Sequence, residues 1–109
     1  MVIRKDGNIL YGQIEDAKTF WQRFCGLMGR KELKDDGGMF FENCSSIHCF
    51  YMQIPIDVVY LNKESRVVGV ETVQPWKIGH FYKGAKHVLE VKAGSAANIA
   101  VGDILEIER

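Results

Sequence analysis

Apolar residues fall in short runs between turn residues over most of this chain, and in one stretch they recur at helical spacing. Val2 to Lys5 is extended. Asp6-Gly7-Asn8 supplies turn chemistry, because Gly and Asn tolerate positive φ, and Ile9, Leu10, Tyr11 and Ile14 then read as a second strand. Asp16 is placed to cap a helix. Phe20, Phe24 and Leu27, with Trp21 and Met28 beside them, form an apolar stripe that predicts a helix from Ala17 to Met28, ending near Gly29. Arg30 to Gly38 is a charged loop, Met39-Phe40-Phe41 a short strand, and Asn43 to Ser46 a polar break. Strands follow at Ile47 to Met52, Ile56 to Leu61 and Arg66 to Val73, interrupted by Gln53-Ile54-Pro55 and by a turn at Asn62 to Ser65. Pro75 to Ala85 is a longer loop and Val88 to Val91 a strand. Ala93 to Ile99 is a small-residue turn or one helical turn, and a last strand runs from Ile104 to Ile107.

About seven or eight short strands at close spacing, with one main helix, predict a mainly β fold (α+β by content). The expected architecture is a small closed or nearly closed β-barrel, with the helix closing one side. No βαβ rhythm is present, which excludes a doubly wound sheet. The 109 residues make a single domain, 1–109, and 47% apolar content is enough for a hydrophobic core without covalent staples.

Charge narrows the functional classes. Fourteen basic and fourteen acidic side chains give zero net charge, so no global field draws the chain to nucleic acid or to an anionic membrane. No apolar run approaches the roughly 20 residues of a membrane span. The first residues lack the apolar core of a signal peptide. Cys25, Cys44 and Cys49 are too few, and odd in number, for a disulfide framework. The expectation is a reduced, cytoplasmic protein with no membrane partner.

Candidate chemistry concentrates in two places. Cys44, His48 and Cys49 invite a metal reading, but along a strand His48 and Cys49 point to opposite faces, and Cys44 and His48 stand about 13 Å apart. A tetrahedral zinc needs ligands at about 2.0–2.3 Å, so no metal and no cofactor is expected. Asp57 interrupts the apolar run Ile56 to Val59, and a buried carboxylate needs partners. Arg23, Arg30 or backbone N–H groups near Pro55 are candidates, which makes Asp57 a structural anchor first. Cys44, His48 and Asp57 together contain the residue types of a thiol–imidazole–carboxylate set, the basis for a cysteine-dependent enzyme as one alternative. No nucleophile elbow, phosphate loop or dinucleotide fingerprint accompanies them. Between Thr72 and Leu89 there is no acidic residue, while Trp76, Lys77, His80, Phe81, Tyr82, Lys83, Lys86 and His87 all fall there. Basic groups interleaved with aromatics can stack bases and contact phosphates, which makes weak binding of RNA or another anionic ligand the second alternative.

Two blocks carry a resemblance: Arg23-Phe24-Cys25-Gly26-Leu27-Met28-Gly29-Arg30, and Cys44-Ser45-Ser46-Ile47-His48-Cys49-Phe50-Tyr51-Met52 continued by Ile54-Pro55-Ile56-Asp57-Val58-Val59-Tyr60-Leu61. Pro75-Trp76-Lys77, Val88 to Gly94 and Val101-Gly102-Asp103 follow in order. On these the chain resembles the bacterial and archaeal domain-of-unknown-function family 192. The resemblance implies a compact β-barrel-like domain with one main helix and implies no activity. The functional expectation is a non-catalytic ligand-binding or accessory module for a small molecule or protein. Its site is expected around Cys44, His48, Met52 and Asp57, with the Trp76–His87 loop, including Lys77 and Lys83, as its rim.

Overall fold

The computed structural model describes residues 1–18, 32–45 and 53–109. The described residues form eight strands: β1 Val2–Lys5, β2 Asn8–Tyr11, β3 Gln13–Asp16, β4 Gly37–Phe41, β5 Ile56–Leu61, β6 Val67–Val73, β7 His87–Lys92 and β8 Glu106–Glu108. They build two sheets, a three-stranded one in the order β2-β1-β8 and a five-stranded one in the order β3-β4-β7-β5-β6.

The β1–β2 hairpin closes through Asp6 and Gly7, both at positive φ (51° and 81°). That combination matches a primed turn, whose twist suits paired strands. Ile9 to Ile14 is not one strand, as the apolar pattern suggested. The chain bends at Gly12, and the two halves join different sheets, β2 antiparallel to β1 and β3 parallel to β4. This division overturns the expected closed barrel. Among the described residues, short backbone links join the sheets at their corners. Met1 and Ile14 exchange backbone hydrogen bonds on one side. An Arg66–Ile104 bridge, with Val67 N–H donating to Asp103 and Leu105 N–H to Ser65, joins them on the other. Neither link is a continuous ladder, so among the described residues both sheets are open.

No helix occurs among the described residues. The helix expected over Ala17–Met28 lies, from residue 19 onward, outside them. Its first residue is not helical: Ala17 N–H donates to the Phe40 carbonyl and prolongs the β3–β4 pairing. Asp16 ends β3, and its Oδ2 accepts from Arg109 Nε at 2.8 Å. The strand expected at Ile47–Met52 also lies outside the described residues.

Every residue of β4 and of β5 is buried. Such strands read as unbroken apolar runs because both faces of the sheet are covered. One face, with Met39, Phe41, Ile56, Val58, Tyr60, Val73 and Val88, forms a first core cluster that also takes Ala17 and Leu33. The other face, with Phe40, Val59, Leu61, Leu89 and Val91, packs against Ile3, Tyr11 and Leu105 from the three-stranded sheet and its approach. β4 runs close against β7 because Gly38 has no side chain; a Cβ there would lie 2.2 Å from the Glu90 carbonyl oxygen.

Candidate functional site

The first-cluster face of the five-stranded sheet carries a connected set of polar side chains. Tyr60, at the end of β5, is fully buried, and its hydroxyl donates to Glu71 Oε2 at 2.8 Å across the β5–β6 pair. The same Glu71 oxygen accepts the His80 backbone N–H at 2.8 Å, and Glu71 Oε1 pairs with His80 Nδ1 at 2.7 Å. Burial by itself would raise the Glu71 pKa. The hydrogen bonds from His80 and Tyr60 outweigh it and hold the carboxyl below its ordinary range. Tyr60 is pushed well above an ordinary phenol, first by burial and then by its contact with Glu71.

The Tyr82 ring lies on Tyr60, with centroids 4.5 Å apart. The β6 sequence makes the room: a Cβ at Gly69 would stand 2.2 Å from the Tyr82 ring. The 74–87 loop is thus fastened by His80 to Glu71, by Tyr82 to Tyr60 and Gly69, and by Lys86 N–H to the Leu61 carbonyl at 2.7 Å.

Between these anchors and β6 the loop turns outward. Lys77 N–H donates to the Gln74 carbonyl at 3.2 Å, which closes a four-residue turn with Pro75 and Trp76 at its centre. Proline fixes a negative φ at its position, and Trp76 has φ +66°. That is the sign pattern of a type II turn, whose third position favours Gly. An L-residue in left-handed backbone costs about 1–2 kcal/mol, and here the residue is the bulkiest of all. The Trp76 side chain is 57% exposed, Ile78 67% and Phe81 81%. Lys77, Lys83 and Lys86 are exposed on the same loop.

Glu90 is the other polar feature of this face. It sits in β7 opposite Met39 and Val58, both members of the first cluster. Burial alone raises its pKa to about 8. At neutral pH its carboxyl is therefore mainly protonated in the folded protein.

The residues expected from the sequence are divided by the sheet. Cys44 packs against the first cluster, the face that also holds Tyr82 and Ala85 at the root of the loop. Asp57 alternates with Ile56 and Val58 and so points to the opposite face. There it accepts the Thr72 hydroxyl at 2.7 Å and the backbone N–H groups of Gly94 and Ala96 at 2.8 and 3.1 Å. Arg23 and Arg30, two of the expected partners, lie outside the described residues, and the backbone donors come from Gly94 and Ala96 and not from the Pro55 turn. The carboxylate ties the 92–99 turns to the sheet. His48 and Met52 lie outside the described residues. Trp76, Lys77 and Lys83 share the loop described above. Among the described residues no group of three His, Cys, Asp or Glu side chains is disposed to hold a metal ion, and no helix is long and apolar enough to cross a membrane.

Sequence reasoning did not single out Glu71 or Glu90, and it named Tyr82 only as one of the aromatics of the loop. Glu90 carried the signal that marked Asp57, an acid within an apolar run, Val88 to Val91. Glu71 and Tyr82 gave no such signal, because their roles depend on Gly69 and on the path of the loop.

Known proteins resemble this chain over nearly its whole length. A UPF0127 protein of Pyrococcus abyssi is 36% identical over 87% of this chain and 86% of its own. A UPF0127 protein of Thermococcus sibiricus is 30% identical over 99% of this chain and 75% of its own. A crystal structure of a protein of unknown function from Novosphingobium aromaticivorans superimposes with a TM-score of 0.82 at 25% identity, over 97% of this chain and 82% of the other. A putative transcription regulator from Sinorhizobium meliloti shares the fold, with a TM-score of 0.72 at 24% identity over 85% of this chain and 79% of its own. The family model of DUF192, described as "Uncharacterized ACR", matches residues 1–107, and the chain belongs to that family of unknown function.

Proposed function

We propose that the protein is a non-catalytic binding module whose contact surface is the 74–87 loop, with Trp76, Lys77 and Lys83 at its centre and Cys44 on the sheet face at its root. The observation that carries this reading is the turn at Trp76. A tryptophan occupies a position whose backbone favours glycine, and more than half of its surface stays in water. The exposed part of that side chain is apolar surface presented to a contact outside the chain. Ile78 and Phe81 add apolar surface that is more exposed still. The fastening of the loop to Glu71 and Tyr60 preorganises it, which lowers the cost of ordering on binding.

The cysteine-dependent alternative has less support. The carboxylate that would orient an imidazole beside Cys44 lies across the sheet and is committed to Gly94 and Ala96. Cytoplasmic placement belongs to the proposed reading and rests on the sequence alone.

Fragment screening by amide chemical-shift mapping tests the proposal. Perturbations centred on residues 74–87 are expected, and they should vanish in a Trp76→Ser/Phe81→Ser variant. Perturbations confined to the Asp57 face, or none anywhere, would overturn it.

A further inference from the structure

Resting on the loop assigned above, we propose that its partner is an anionic lipid surface, to which the protein adsorbs peripherally with Trp76, Ile78 and Phe81 entering the headgroup–acyl boundary. Three large apolar side chains fall within residues 76–81, and each is more than half exposed. Lys77, Lys83 and Lys86 are exposed around them, and no acid occurs between Thr72 and Leu89. Glu71, which borders the loop, has its oxygens turned to Tyr60 and His80. The local charge is therefore positive on a chain of zero net charge.

Apolar tips ringed by lysine match an interface in which acyl chains take the apolar groups and headgroup phosphates take the ammonium groups. Tryptophan suits the boundary because one edge of its ring is polar and the remainder is apolar. The aliphatic Ile78 separates this reading from nucleic-acid binding. A base stacks on Trp76 or Phe81, whereas an exposed isoleucine offers no stacking plane and gains most from hydrocarbon. The adsorption is interfacial and needs no spanning segment.

Co-sedimentation of the full chain with phosphatidylcholine vesicles, with and without phosphatidylglycerol, tests this. Binding is expected only with phosphatidylglycerol, weakening as salt rises. A lysine near an anionic surface contributes roughly a fivefold gain in binding. A Lys77→Gln/Lys83→Gln/Lys86→Gln variant should therefore bind on the order of a hundredfold more weakly. Ile78→Ser, a mild change at an exposed position, should also weaken binding while leaving the urea midpoint unchanged. No sedimentation with phosphatidylglycerol vesicles, or binding indifferent to Ile78→Ser, overturns the proposal. Retention on polyuridylate that is lost in the lysine variant but kept in Ile78→Ser, with vesicles ignored, also overturns it and assigns the loop to nucleic acid. Fragment shifts on the loop without vesicle binding refute the lipid assignment alone; no shifts on the loop refute the binding surface itself.

Discussion

Replacing Glu90 by glutamine gives a sharp test of how the first-cluster face is built. Glutamine keeps the shape of the protonated side chain and cannot ionise. In the unfolded chain Glu90 titrates at its ordinary value of 4.5; in the folded protein burial raises it to about 8. A folded pKa above the unfolded one means that the folded state holds the proton more tightly. The stabilisation is complete below pH 4.5 and is lost as pH rises from there through 8. At about 1.4 kcal/mol for each tenfold change, the loss is about 3 kcal/mol at pH 7 and 4–5 kcal/mol above pH 8. Glu90→Gln escapes this loss, while every other titrating group is common to both proteins. Urea unfolding followed by tryptophan fluorescence should give similar midpoints near pH 4.5. By pH 7 the variant should be more resistant by about 1.5–3 M, taking an m-value of roughly 1–2 kcal/mol/M. Two midpoint curves that run parallel from pH 4.5 to 8.5 would show that Glu90 ionises as readily folded as unfolded, and the account of its burial would fail.

Asp57→Ala removes the acceptor of the Thr72 hydroxyl and of the Gly94 and Ala96 N–H groups, so a stability loss of about 2–4 kcal/mol is expected by urea unfolding. Amide exchange should accelerate first at residues 94–96; a loss below 1 kcal/mol with unchanged exchange would contradict the anchoring role. Trp76→Gly should raise stability by about 1 kcal/mol, because glycine accepts the left-handed backbone that tryptophan adopts under strain. The same variant should lose loop-centred fragment binding, and a variant that is both less stable and fully binding would refute the argument from the turn.

How much was legible in the sequence follows from the range of the interaction involved. β5 emerged with its observed limits, Ile56 to Leu61, because a strand buried on both faces leaves an uninterrupted apolar run. The Asp6-Gly7 turn was legible because its chemistry is local. The division between β2 and β3 was not. Ile9, Leu10, Tyr11 and Ile14 look like one apolar stretch, and only the parallel pairing of β3 with β4 draws its end into another sheet. The barrel expectation failed at that point, since one misassigned break suffices to close two open sheets on paper. In the candidate site, the exposed composition of the Trp76–Lys86 segment was visible, but its geometry was not. Tyr82 lies on Tyr60 because Gly69 leaves the space, a dependence between residues far apart in the chain.

The two buried acids show why an interrupted apolar run is an ambiguous signal. Asp57 and Glu90 sit on neighbouring strands, one register step apart and on opposite faces, for Val58 pairs with Glu90 and Asp57 with Val91. Their surroundings resolve the same problem in opposite ways. Asp57 is short and reaches three donors, two of them backbone N–H groups of the following turn, so it holds loop to sheet. Glu90 faces an apolar cluster and is accommodated by keeping its proton. Both are explained by folding alone, one by hydrogen bonding and the other by neutralisation, and neither calls for a ligand. Trp76 is different in kind. Its backbone takes a conformation that favours glycine, and more than half of its surface lies in water. The inference to function therefore belongs at the loop, where strain and exposure coincide, more than at the buried Asp57 carboxylate that the sequence pattern marked.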